Sequence, residues 1–170
     1  MFAIIDIETC GGKFNYPNGR ITEICVLVHD GLSVVDKFTS LVNPECYITP
    51  IYTNITGITN EMVKDAPKFH QIAKHIHRIT DEKIFVAHNV SFDYNFVKAE
   101  FASLGFNYER EKLCTVQMSR KLLPGHDSYS LGKLCNALGI PNHARHRAEG
   151  DAVATAQLFD LLLQAKSAKR

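Results

Sequence analysis

The stretch FAIIDIET, residues 2 to 9, sets two acids into an otherwise apolar run. As a strand it points Phe2, Ile4, Asp6 and Glu8 to one face and Ala3, Ile5 and Ile7 to the other, because successive side chains alternate. The two carboxylates then lie about 7 Å apart on one side, where like charges repel and burial adds to the cost. Two further acids stand in comparable places. Asp93, within HNVSFDYNF at 88 to 96, is three residues after Val90 and four before Val97, so it sits beside an apolar stripe in the first turn of a helix. Asp151, within HRAEGDA at 146 to 152, shares a helical stripe with Thr155, Phe159 and Leu162, and His146 lies just ahead of that helix. Taken singly, each has an ordinary structural reading: Asp93, Asn89 and Ser91 as caps or first-turn polar residues, His146 as a surface or capping histidine. Taken together, four carboxylates on or beside apolar faces would raise one another's pKa or break the fold unless cations lay among them. Oxygen-only ligands suit Mg²⁺ or Mn²⁺ rather than zinc, and two such ions about 4 Å apart can clamp the attacking and leaving oxygens of a phosphodiester. A histidine at the same spot can take the proton of the attacking water, a contribution of about 10²- to 10⁴-fold in rate.

The elements that must position these groups read as α/β. After the opening strand comes a Gly/Asn/Pro-rich loop, CGGKFNYPNGR, and then two β-rich runs, 21 to 29 and 34 to 42, joined by the hairpin signal DGLS. These three strands make an antiparallel meander. Residues 43 to 58 are turn-rich, with Pro44 and Pro50; Thr59 can cap a short helix, and Phe69, Ile72, Ala73, Ile76 and Ile79 mark a longer amphipathic one. A fourth strand at 83 to 87 passes straight into a helix carrying Val90, Tyr94, Val97, Phe101 and Leu104. A fifth strand is expected at 112 to 116, followed by a stripe of Leu131, Leu134, Cys135 and Leu138 and a closing helix from 148 to 163. The expected product is a mixed five-stranded sheet, three antiparallel strands plus two parallel ones, flanked by helices.

Composition narrows the class. The chain has 170 residues, 45% of them hydrophobic and 22% charged, as expected of one globular domain, with 19 basic against 18 acidic residues. No overall basic field marks a polyanion binder, so any nucleic acid must be met locally. A local set exists in Arg145, Arg147, Lys166, Lys169 and Arg170, with Lys112, Arg120, Lys121 and Lys133, although scattered Lys and Arg also simply solvate a face. Five widely spaced cysteines at 10, 25, 46, 114 and 135 argue against a disulfide framework or thiolate zinc site and for a reducing, cytoplasmic setting. Acids at 6 and 8 exclude a secretory apolar region at the N-terminus, and no long apolar run suggests a membrane span. His70, His75 and His77 are not spaced to share one helical face, so they read as surface residues rather than a zinc site. His143, three residues before His146, is the only rival base.

Three ordered segments carry a resemblance: DIET at 6 to 9, H-N-x-x-F-D at 88 to 93 and H-x-x-x-x-D at 146 to 151. In order and spacing they resemble the DEDDh exonucleases, which include proofreading exonuclease subunits of bacterial replicative polymerases, RNase T and oligoribonuclease. TGIT at 56 to 59 and YSLGKLCNALGI at 129 to 140 extend the likeness from Phe2 to about Leu163. The resemblance implies a ribonuclease H-like fold and a two-metal hydrolysis that removes nucleoside 5′-monophosphates from single-stranded or frayed 3′ ends of DNA or RNA. It makes Asp6, Glu8, Asp93 and Asp151 ligands of two divalent cations, Mg²⁺ or Mn²⁺, and His146 the general base. Thr9, Gly57, Ile58 and Phe92 would hold the terminal nucleotide. Where the family often continues D-x-E-T-T-G, this chain has Cys10, Gly11 and Gly12 and a loop to Arg20, a departure at the rim of that pocket. A single exonuclease domain is expected over 1 to 163 with a short basic tail at 164 to 170, too short for a polymerase-binding extension; a free-standing enzyme follows, with a polymerase or homodimer partner left open. The rival from another class is a catalytically silent nucleic-acid-binding or docking module. The intact set of four acids and one histidine favours the enzyme.

Overall fold

The computed structural model describes residues 1–13, 19–142 and 145–168. Five strands form one sheet in the order β3-β2-β1-β4-β5: β1 Phe2–Thr9, β2 Ile21–His29, β3 Val34–Leu41, β4 Ile84–Ala87 and β5 Lys112–Cys114. β1, β2 and β3 pair antiparallel, whereas β1 with β4 and β4 with β5 pair parallel. The hairpin between β2 and β3 forms at the expected Asp-Gly: Asp30 Oδ1 accepts from the backbone of Leu32 and Ser33, each at 2.8 Å, and Gly31 takes φ +105°.

Alternation along β1 sorts the core into two layers. Ala3, Ile5 and Ile7 face a cluster with Ile24, Val26, Ile76, Val97 and Phe101, under helices α3 (Phe69–Ile79) and α4 (Val90–Ser103). Ile4 faces the other way, with Cys25, Leu27 and Val86, onto Ala148, Ala152, Ala156 and Phe159 of the closing helix. The alanines at steps of four leave that helix a smooth face that lies close on the sheet. Asp6 and Glu8 continue the Ile4 face.

Three element expectations change. Residues 43 to 58 contain a helix, α1 Pro50–Thr56, before the short α2 Asn60–Val63 that Thr59 caps through its side chain. Pro50 opens α1 as a first-turn proline, but Ile51 and Ile55 are exposed and of the helix only Thr56 is buried, so no apolar stripe announces it. β5 stops at Cys114, because β4 has no residue beyond Ala87 to pair with it, and Val116 belongs to α5 Thr115–Leu122. After α6 Leu131–Leu138, the closing helix α7 runs Ala148–Ala168, so part of the expected tail continues the helix. Among the described residues no helix is long and apolar enough to cross a membrane.

Candidate active site

The acids meet at the end of the sheet where parallel and antiparallel pairing share β1. The last β1–β4 pair is Ile4↔Val86, and β4 ends at Ala87, so β1 outruns its parallel neighbour. Asn89 turns the chain with a left-handed φ of +70°, and α4 starts at Val90. Asp93, in its first turn and buried, then takes the place of the missing strand: its Oδ1 accepts from the backbone N–H of Ile7 at 3.2 Å. Clefts outside the C-terminal ends of parallel strands are where open α/β sheets place ligands.

From the opposite layer α7 brings Asp151. Thr155, Phe159 and Leu162 of its stripe are fully buried, and its first turn leans over the Asp6/Glu8 face. One carboxylate oxygen from each of Asp6, Glu8 and Asp151 lies within 4.8 Å of the others. Asp93 is not one of that trio, yet its charge is the largest of the neighbouring charges acting on Asp6. Burial, then Asp93, Asp151, Glu8 and Glu23, push the Asp6 carboxyl well above the usual range. Burial also pushes Glu8 up to about 8, helped by Asp151, Glu23 and Asp93 and opposed by Arg147. Asp93 is raised to about 8 by burial, against two backbone N–H bonds that favour its charged form.

His146 sits on the turn before α7 at φ +61° and is exposed. Asp151 Oδ2 accepts its backbone N–H at 2.9 Å, and Asp151 Oδ1 accepts from Asn142 Nδ2 at 2.8 Å. The hydrogen bond that links His146 to the cluster therefore runs through its backbone. His143 lies outside the described residues. The ring of His88, in the second motif, bridges Thr115 Oγ1 (2.9 Å) and the Tyr129 carbonyl (2.8 Å), and burial lowers its pKa.

The four residues expected around a terminal nucleotide are differently exposed. Thr9 is buried and its hydroxyl donates to the Gly11 carbonyl at 2.7 Å; Ile58 is fully buried with Cys10, Ile48 and Val63. Gly57 closes α1 at φ +73°, and Phe92 is half-buried against Phe96 at 5.0 Å. At the divergent rim, Cys10 Sγ meets Cys46 Sγ at 3.0 Å and Gly12 N–H donates to the Tyr52 hydroxyl at 2.7 Å, tying the turn after β1 to the region of α1; residues 14–18 of the loop lie outside the described ones. Of the basic residues, Arg147 pairs with Glu23, Lys112 lies over the Tyr94 ring and Arg120 over Tyr129; Lys169 and Arg170 lie outside the described residues. His75 and His77, expected on the surface, are half-buried, His75 against Phe38 and His77 edge-on to Phe101, Phe106 and Tyr108.

A family model for the exonuclease domain of the RNase T type matches residues 3–159. The chain belongs to the DEDDh exonuclease family. This exonuclease domain is 35% identical over 159 residues to the 3′-5′ exonuclease DinG of Staphylococcus saprophyticus, covering 93% of the chain but 17% of that relative. It thus spans less than a fifth of the length of the curated relatives it matches. Exonuclease X, solved in complex with 5′ overhanging duplex DNA, is 31% identical with a TM-score of 0.80, over 98% of this chain and 93% of the other. The nuclease domain of 3′hExo, a DEDDh family member bound to rAMP, shares the fold at 19% identity and a TM-score of 0.82, over 96% and 91% of the two chains.

Proposed function

We propose that this exonuclease domain removes nucleotides from the 3′ ends of nucleic acid, releasing nucleoside 5′-monophosphates, with Asp6, Glu8, Asp93 and Asp151 holding two divalent cations. The observation that carries this is the convergence of Asp6, Glu8 and Asp151 within 4.8 Å, with Glu8 and Asp93 pushed up to about 8. Carboxylates that resist ionisation because they are buried, and in Asp6 and Glu8 also because they are crowded together, become good ligands once a cation lies among them. The donors are all oxygen, so they fit Mg²⁺ or Mn²⁺. When bound, such ions stabilise charge on the phosphodiester undergoing displacement.

The chain's own residues do the rest. His146, exposed on its left-handed turn and tethered by Asp151, accepts the proton of the attacking water. Thr9, the Gly57–Ile58 turn and Phe92 wall the place of the terminal nucleotide. DNA is the preferred reading of the substrate, supported by the 31% identity to Exonuclease X, solved with duplex DNA. Residues 1–163 act as one catalytic domain, and the five scattered cysteines are in keeping with a cytoplasmic setting.

The test is incubation with 3′-labelled single-stranded DNA and matched RNA, in Mn²⁺ and in EDTA. Metal-dependent release of mononucleotides is expected, and His146→Ala should slow turnover by about 10²- to 10⁴-fold while His143→Ala leaves it within a few-fold. No release from either strand would make the chain a docking module. Loss with His143→Ala alone would move the base.

A further inference from the structure

Glu23 lies outside all three motifs, yet it faces the acidic cluster. In the β1–β2 ladder it is directly opposite Glu8, so both side chains stand on the face that α7 covers. Its buried carboxylate accepts three hydrogen bonds, all from the entrance to α7. Arg147 Nε reaches Oε2 at 2.9 Å, Arg147 Nη2 reaches Oε1 at 2.6 Å, and the backbone N–H of Ala148 reaches Oε2 at 2.9 Å. Ala148 is the first residue of α7, whose opening amides have no acceptor within the helix, and a negative charge there is favoured by the helix dipole. One turn later the backbone N–H of Asp151 donates to the Arg147 carbonyl at 3.0 Å, and Asp151 in turn holds His146 and Asn142. The sheet therefore holds the first turn of α7 by hydrogen bonds as well as by its apolar face, and that hold is next to Asp151 and His146.

We propose that Glu23 and Arg147 are a positioning pair: Glu23 caps the first turn of α7 from the sheet, and the pair sets Asp151 and His146 against Asp6 and Glu8. This rests on the reading of that cluster as a metal site with His146 as its base. The pair also accounts for a fifth carboxylate beside four others. A bidentate guanidinium satisfies both Glu23 oxygens and its charge opposes the repulsion felt by Glu8.

The test compares wild type with Glu23→Gln, Arg147→Met and Arg147→Lys. For Glu23→Gln, Mn²⁺ affinity by isothermal titration should fall about tenfold and kcat on 3′-labelled DNA about 10- to 100-fold, with KM within about threefold. Amide exchange at residues 148 to 151 of the metal-free protein should accelerate. Arg147→Lys, which keeps the charge but loses the fork, should fall between wild type and Arg147→Met. A Glu23→Gln protein that melts earlier but keeps wild-type Mn²⁺ affinity, kcat and exchange would overturn the proposal. Should that variant fail to fold, the Arg147 variants carry the same comparison, because Arg147 is half-exposed. If wild type itself releases no nucleotide, the functional reading fails while exchange at Ala148 still decides whether Glu23 caps the helix.

Discussion

At the scale of single residues, the acids of the cluster oppose the stability of the fold that carries them. Asp6 is pressed from several sides: its carboxyl is raised by burial and by four neighbouring acids. Asp6→Asn should therefore stabilise the metal-free protein, on the order of 1–2 kcal/mol at about pH 8, while lowering nuclease turnover at least about a hundredfold. Thermal melts in EDTA beside the nucleotide-release assay check both halves; a variant less stable than wild type would show that burying a charge among like charges is not the dominant cost at this position. The same acids were legible in the sequence because four carboxylates on or beside apolar faces, taken together, are hard to explain as structure alone. Glu23 was not, since ITEICVLV reads as a strand with one tolerated acid, and only the register Glu8↔Glu23 and the approach of Arg147 reveal its place. His146 was legible by spacing, but its left-handed backbone belongs to a turn that no periodicity describes.

At the scale of elements, the site depends on one short strand and one long helix. β4 is only four residues long, so Asp93 can reach the backbone of Ile7 where a longer strand would have paired. α7 is fixed by its alanine face and by Phe159, which packs on Phe2 at 4.9 Å and on His29 at 5.6 Å. Phe159→Ala should cost about 3–5 kcal/mol, read as a lowered melting temperature, and should loosen Asp151 two turns away. A loss below about 1 kcal/mol would mean that the helix is held by other contacts. Elements with an apolar stripe, such as α3, α4, α6 and α7, were readable along the chain. α1 was not, because Ile51 and Ile55 face water and it is anchored by Tyr52 and Thr56 rather than by an apolar stripe. The end of β5 was set by the length of its neighbour, information that sits nearly thirty residues away on another strand.

At the scale of the whole molecule, stability and cation binding are linked through protons. Glu8 and Asp93 keep their protons to about pH 8 in the folded chain, whereas unfolded carboxyls release them near pH 4. The folded state thus binds more protons between those values, so stability falls as pH rises from about 4 to about 8. In EDTA the melting temperature should drop between about pH 5.5 and pH 8, and Mn²⁺ should raise it more at the higher pH, where cations no longer compete with protons. A melting temperature that is flat with pH would sink this linkage. The sheet order was legible in kind, three antiparallel strands and two parallel ones, from a hairpin signal followed by strand-to-helix alternation. The placement of acids from positions 6, 8, 93 and 151 at one spot has a consequence in time. Asp151 is made last of the four, so a nascent or clipped chain that lacks α7 cannot complete the acidic cluster.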